Sequence, residues 1–203
     1  MRPRPLRVAL TGGIASGKSY CLRRFIAKGA PTIDADLLAR EVIAPGTPGA
    51  QAVLTRFGTL DRKALGDVVF RDAAARADLE AIVHPLVYGA INDWFLSLRH
   101  APFGIADIPL LFETHRAGRF DRVIITTCSP EQQRERLMGR GYSAAEADAR
   151  IGSQLPFDEK LKRAQAAGVA VDVVDTSASL AETDAQVDRL TDVLGSLPPR
   201  VCS

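Results

Sequence analysis

Apolar and polar positions change rhythm several times along the chain, and each change predicts an element. Leu6, Val8 and Leu10 stand in strand register ahead of a glycine-rich turn, and the segment from about Lys18 to Lys28 reads as a helix. "APTID" (residues 30–34) then reads as a second strand and "DLLAREVI" as a short helix. From Pro45 to His100 the signal is helical throughout, in "GAQAVLTRF", "DRKALGDVVF" and a long run over "ARADLEAIVHPLVYGAINDWFLSL". In that run Leu79, Ile82, Val83, Leu86, Ala90, Trp94 and Leu98 approximate a helical stripe, expected to be core. Pro85 should kink this helix or start a new one.

Strand signals return with "FGIAD" (Phe103 to Asp107) and "RVIITT" (Arg122 to Thr127), largely apolar as strands buried on both faces are. "VDVVD" (Val171 to Asp175) makes a fifth strand. Ser129 with Gln132, Ser143 with Glu146, and Ser179 with Glu182 have the spacing of capping boxes, and Pro130 suits a first helical position. "PPRVCS" reads as a loose tail. Strands alternating with helices predict an α/β domain with a parallel sheet, whose ligands gather beyond the strands' carboxyl ends. That rule selects Gly12 to Ser19 after the first strand, Asp34 and Asp36 after the second, Asp107 at the end of the third and Thr127 at the end of the fourth.

Gly12 to Ser19, within "RVALTGGIASGKSY", fit the spacing G-x-x-x-x-G-K-[ST] of a phosphate-binding loop. Glycines allow successive amides to turn inward around phosphate oxygens, Lys18 adds a mobile positive charge, and Ser19 offers a hydroxyl to Mg²⁺. The helix that follows aims its positive end at the same anion. The competing reading, an uncommitted glycine-rich turn, does not require the apolar strand before it or the helix after it. A triphosphate held here needs an acceptor, and Asp34 and Asp36 are candidates to orient or deprotonate an attacking hydroxyl. Asp36 reads equally as the N-cap of the short helix. Asp107 reads either as a holder of the water shell of Mg²⁺ or as a turn residue before Pro109, and Glu113 is a weaker candidate.

Composition narrows the classes. A chain of 203 residues builds one sizeable core, with room for small inserted lobes. A net charge of +2 argues for neither nucleic acid nor a membrane surface as partner. Basic residues do gather between Arg134 and Arg163, as a solvated helical face or an anion site. No apolar run reaches the roughly 18 residues of a membrane span, and "MRPRPLRVALTGG" lacks the features of a secretory signal, so a cytoplasmic protein is expected. Cys21, Cys128 and Cys202 are too scattered for a metal site or a disulfide framework.

"LTGGIASGKS", "IDADLLAREV", "LDRKAL", "VHPLV" and "DIPLLFE", with "RIGSQLPFDEK" later, occur in an order and spacing that closely resemble the dephospho-CoA kinases over nearly the whole chain. The resemblance implies a three-layer P-loop NTPase core with a five-stranded parallel sheet, of the nucleoside-monophosphate-kinase type. It implies a core over about 1–44, 101–138 and 166–197, a helical acceptor lobe over about 45–100 and a mobile lid over about 139–165. The implied reaction is phosphorylation of the ribose 3′-hydroxyl of dephospho-CoA by ATP with Mg²⁺, giving CoA and ADP. Lys18, Asp36 as base, and Arg140 would be catalytic, and Gly12, Gly13, Ala15, Ser16, Gly17, Lys18, Ser19, Tyr20 and Arg150 would hold ATP. Asp34, Arg62, His84 and Asp107 fall on the acceptor side, although His84 also reads as a residue that organises a bend at Pro85. The chain departs from the family in three places. "RFGTLDR" lacks the usual longer stretch with a glycine turn, Ala15 and Tyr20 replace common glycine and threonine, and Val171 and Ala178 replace frequent aspartate and glycine. Two rivals stand beside this reading: another nucleotide or small-molecule kinase on the same core, and a nucleotide-binding switch without phosphotransfer.

Overall fold

The computed structural model describes residues 3–198 and 200–201, which form two compact units, Met1–Ile33 with Leu98–Ser203, and Asp34–Ser97. The first unit carries strands β1 (Pro3–Arg4), β2 (Leu6–Gly12) and β3 (Thr32–Asp34, its last residue opening the second unit), with helix α1 (Lys18–Ala27) between β2 and β3. The helices α2 (Ala35–Glu41), α3 (Pro48–Phe57), α4 (Arg62–Arg71) and α5 (Ala73–Ser97) make up the second unit. The chain then returns to the first unit with β4 (Phe103–Asp107), β5 (Arg122–Thr127), α6 (Pro130–Met138), α7 (Ala144–Gly152) and α8 (Phe157–Ala166). It closes with β6 (Ala170–Asp175), α9 (Leu180–Ser196) and β7 (Arg200–Val201).

The five-stranded parallel sheet runs β3-β4-β2-β5-β6, so the strand that feeds the glycine-rich loop is central. Val8 stands opposite Ile105 on one side and Arg122 on the other, and Gly12 opposite Thr126. A strand with neighbours on both sides and helices over its faces has no reason to alternate polar residues, and β2 is buried at six of its seven positions. Leu6, Val8 and Leu10 join Cys21 and Phe25 of α1 and Val187 and Leu194 of α9 in one apolar cluster. Burial pushes the Cys21 thiol up to about 11, so it is an inert core thiol.

The three capping boxes form as expected. The hydroxyls of Ser129, Ser143 and Ser179 accept from the backbone N–H groups of Gln132, Glu146 and Glu182, and those side chains return to the cap residues. The sequence reading needs correction at three other places. α5 is one continuous helix through Pro85, so of the two outcomes expected at this proline the start of a new helix is excluded. Its fully buried line is Ala75, Val87, Tyr88, Ile91 and Phe95, whereas the expected stripe from Leu79 to Leu98 is only half-buried. The helix is apolar on adjacent sides, and packing by α2, α3 and α4, not its pattern, selects the buried one. Thirdly, part of the expected loose tail is ordered, because Arg200 and Val201 pair antiparallel with Arg4 and Pro3. Cys202 lies outside the described residues.

Candidate active site

The loop from Gly12 to Ser19 leaves β2 and enters α1 at a left-handed Gly17 (φ 85°), a conformation that favours glycine. Gly12 is required for another reason: a Cβ there would lie 2.1 Å from Thr126 Oγ1 and 2.5 Å from Ser16 Oγ. The loop is pinned by the side chains around it. The hydroxyls of Ser16 and Thr126 share a hydrogen bond at 2.7 Å, and Thr176 Oγ1 donates to the Ser16 carbonyl at 3.0 Å. Arg136 of α6 donates to the Ala15 carbonyl at 3.1 Å and to the Thr176 carbonyl at 2.6 Å. Such anchoring fixes the backbone of the loop before any ligand arrives.

Lys18 places its Nζ against Asp107 Oδ1 at the end of β4. Asp107 is buried, so the pair holds the lysine at the carboxyl edge of the sheet while the carboxylate keeps a countercharge. Ser19 is exposed in the first turn of α1. Tyr20, assigned to ATP from the resemblance, turns its hydroxyl to Asp184 of α9 at 2.8 Å, and that hydrogen bond holds the phenol above its ordinary pKa. Ala15 occupies a left-handed conformation (φ 58°), which accounts for the glycine common at this place in the resemblance. Its methyl packs with Leu137 and Ala147, joined by Ile14, Tyr142 and Ile151, so the loop has an apolar seam with α6 and α7.

The segment after α6 carries Arg140 and Arg150, both exposed, with the Arg150 guanidinium 4.3 Å from the centroid of the Tyr142 ring. The basic residues from Arg134 to Arg163 divide among several environments. Arg134 pairs with Asp148, Arg136 holds the loop, Arg163 bonds Glu159 and the Phe112 carbonyl, and Lys160 is buried. Two glutamines that no sequence motif singles out hold the loop at Ile14. The Ile14 N–H donates to Gln154 Oε1 at 2.6 Å, and Gln133 Nε2 donates to the Ile14 carbonyl at 2.7 Å. Only the position of Gln154 inside "RIGSQLPFDEK" could have flagged it. A cavity of about 430 Å³ opens beside the loop, lined by Gly13, Ser16, Thr126, Gln154, Phe157 and Lys160 among others.

In the second unit the N-cap of α2 is Asp34, not Asp36. Asp34 Oδ1 accepts from the N–H groups of Asp36 at 2.8 Å and Leu37 at 3.1 Å. The capping role therefore falls two residues earlier than expected, and Asp36 is left exposed in the first turn with its carboxylate uncommitted to the helix end. Asp61 caps α4 through the Ala64 N–H at 2.8 Å, which places Arg62, exposed, at the first position of that helix. His84 is half-buried in α5 before Pro85. A cleft of about 410 Å³ in this unit, lined by Pro45, Thr47, Pro48, Leu54 and Leu60 among others, carries no charged side chain.

A phosphate loop after the central strand of a parallel sheet, a lysine held at the sheet's carboxyl edge and an arginine-bearing segment beyond it define a P-loop kinase. The dephospho-CoA kinase family model matches residues 6–182. The chain is 43% identical over 191 residues to a dephospho-CoA kinase of Frankia casuarinae, covering 90% of this chain and 81% of the relative. It is 39% identical to that of Bacillus cereus, covering 89% and 93%. A crystal structure of a protein from Thermus thermophilus superposes with a TM-score of 0.77 at 31% identity, covering 94% of this chain and 98% of the other. The dephospho-CoA kinase of Campylobacter jejuni gives 0.68 at 26%, covering 93% and 96%. The chain belongs to the dephospho-CoA kinase family.

Proposed function

We propose that this chain transfers the terminal phosphoryl group of ATP to the ribose 3′-hydroxyl of dephospho-CoA, the last step of CoA synthesis. The observation that carries the reading is the anchored phosphate loop in a chain that belongs to this family. In this reading the ribose oxygen forms a bond to the γ-phosphorus, the bond to the ADP oxygen breaks, and the hydroxyl proton passes to Asp36. Asp36 suits that role because Asp34 does the capping, which leaves the Asp36 carboxylate available as an acceptor. Lys18, the loop amides and the positive end of α1 hold the phosphates, and Arg140 and Arg150 bring guanidinium charge to the transferring group. Tyr20 takes part in nucleotide binding, in this reading, by tying α1 to α9. Asp34, Arg62, His84 and Asp107 serve the acceptor side.

Mg²⁺ fits the residues present. The Ser19 hydroxyl in the first turn of α1 is a hard oxygen donor, and among the described residues no three His, Cys, Asp or Glu side chains form a metal cluster. Such a poor protein ligand set suits an ion that keeps its waters and leans on phosphate oxygens. When bound, the ion neutralises charge on the phosphates. No described helix is long and apolar enough to cross a membrane, and the reading places the enzyme in the cytoplasm.

Incubation with ATP, Mg²⁺ and dephospho-CoA should give a product that has gained one phosphate at the ribose, detected by mass. Preference for a nucleoside monophosphate as acceptor, or acceptor-independent hydrolysis with no CoA, overturns the reading. Residues 139–165 are proposed as a lid that excludes water from the reacting phosphate. Their amides should gain protection from hydrogen exchange when both substrates are present, and unchanged protection removes the lid.

A further inference from the structure

Lys160 is the only charged side chain among the described residues lining the cavity beside the phosphate loop, and it is 1% exposed. Its ammonium makes no hydrogen bond or ion pair with any described residue. Lys18 differs, because its charge is already engaged by Asp107. An ammonium with no partner among the described residues is costly to bury this deeply, and burial draws the Lys160 pKa below the ordinary lysine value. One opposing influence is Glu113, whose negative field favours the charged form. Both Glu113 carboxylate oxygens are themselves buried without a hydrogen-bond partner, so the two groups face each other electrostatically without closing into an ion pair. A cation at a cavity wall, left unjoined to the carboxylate whose field it feels, is poor architecture for stability and suitable architecture for a ligand.

We propose that Lys160 is a further phosphate-binding residue of this site, contacting the terminal phosphoryl group of the nucleotide, with Glu113 as its positioning residue. The inference rests on the kinase reading for the identity of the anion. Gly13 and Ser16 of the phosphate loop line the same cavity, which favours the nucleotide's phosphate over the diphosphate of the acceptor. Lys160 forms and breaks no covalent bond; it adds a second cation to the phosphate oxygens beside Lys18, whose ammonium Asp107 orients. The helical pattern offered a signal for it. Lys160 and Ala164 lie one turn apart on the buried side of α8, where an apolar residue is the default.

The test compares wild type with Lys160→Met and Lys160→Gln by calorimetric titration with ATP, ADP and dephospho-CoA separately, alongside thermal melting. Both variants should bind ATP about ten-fold or more weaker, the scale of one lost charge-assisted contact, while ADP and dephospho-CoA affinity stay within about two-fold. Lys160→Met should melt no lower than wild type, since methionine fills the space without burying a charge. Glu113→Gln should weaken ATP in the same direction by a smaller factor. An unchanged ratio of ATP to ADP affinity in the Lys160 variants overturns the proposal, as does equal loss for both nucleotides or failure of both variants to fold. Weakened dephospho-CoA with intact ATP affinity would move Lys160 to the acceptor. None of these titrations requires turnover. A wild type that prefers ATP through Lys160 yet makes no CoA sinks the assigned reaction and leaves this inference standing.

Discussion

The two units prepare their polar groups differently. Around the phosphate loop nearly every polar group is committed: Ser16 to Thr126, Thr176 to Ser16, Arg136 to Ala15, Lys18 to Asp107. In the unit of residues 34–97 the candidate residues Asp36 and Arg62 stand exposed, and the polar interactions around them cap helices. Exposed apolar side chains are also common there, including Leu37, Leu54, Val68, Leu96 and Phe70, the last 89% exposed. The first unit is built to hold a fixed anion in a preset geometry. The second carries its candidate residues on helix ends that owe little of their stability to them. Substitutions should therefore couple activity to stability in the first unit and separate them in the second.

The sharpest separation is expected at Asp36. Asp36→Asn should lower turnover by about 10²–10⁴-fold, the usual contribution of a general base, with ATP affinity within about two-fold and an unchanged melting temperature. Steady-state kinetics and nucleotide titration check it. Turnover within a few-fold of wild type would reduce Asp36 to a helix residue. Lys18→Ala should cost about 10²–10³-fold in turnover and weaken ATP as well, as loss of a preorganised cation does. It should also melt lower than wild type, because Asp107 is left buried without the lysine. An unchanged melting temperature for Lys18→Ala would break the comparison between the units.

Arg136 tests the clamp on the loop without touching substrate. Arg136→Met removes hydrogen bonds to the Ala15 carbonyl and to Thr176 and should destabilise by about 2 kcal/mol, a fall of about 4–8 °C in a domain of this size. ATP affinity should drop several-fold as the amides lose their fixed orientation. A lower melting temperature with unaltered ATP affinity would show that the loop keeps its shape without the clamp.

What the sequence disclosed was local. The phosphate loop, the strands at Phe103–Asp107 and Arg122–Thr127, and the serine caps depend on residues within a few positions of one another. Contacts that complete the site span the chain: Lys18 meets Asp107 across 89 residues, Ile14 meets Gln154 across 140, and Thr176 meets Ser16 across 160. No periodicity encodes those distances; the sheet order sets β4 beside β2 for the first, and the other two depend on loops that follow α7 and β6. The Asp34 cap escaped for a narrower reason. Either aspartate of "DAD" satisfies the composition of a cap, and the choice depends on where β3 releases the chain.

The smallest expected effect lies at Ala15, where three terms oppose one another. A left-handed alanine costs roughly 1–2 kcal/mol, which glycine would recover. Glycine would in turn lose about 0.5–1 kcal/mol through the greater freedom of the unfolded chain. It would also forfeit about 0.8 kcal/mol from the methyl buried against Leu137 and Ala147. The sum is near zero, so Ala15→Gly should change unfolding free energy by less than about 0.5 kcal/mol in denaturant titration, even though it removes a strained residue from the loop. A destabilisation above about 1 kcal/mol would mean that the seam between the loop and helices α6 and α7 outweighs the strain. A comparable gain would mean that the alanine is tolerated for a reason other than packing, and an accompanying change in ATP affinity would place that reason in the anion cradle.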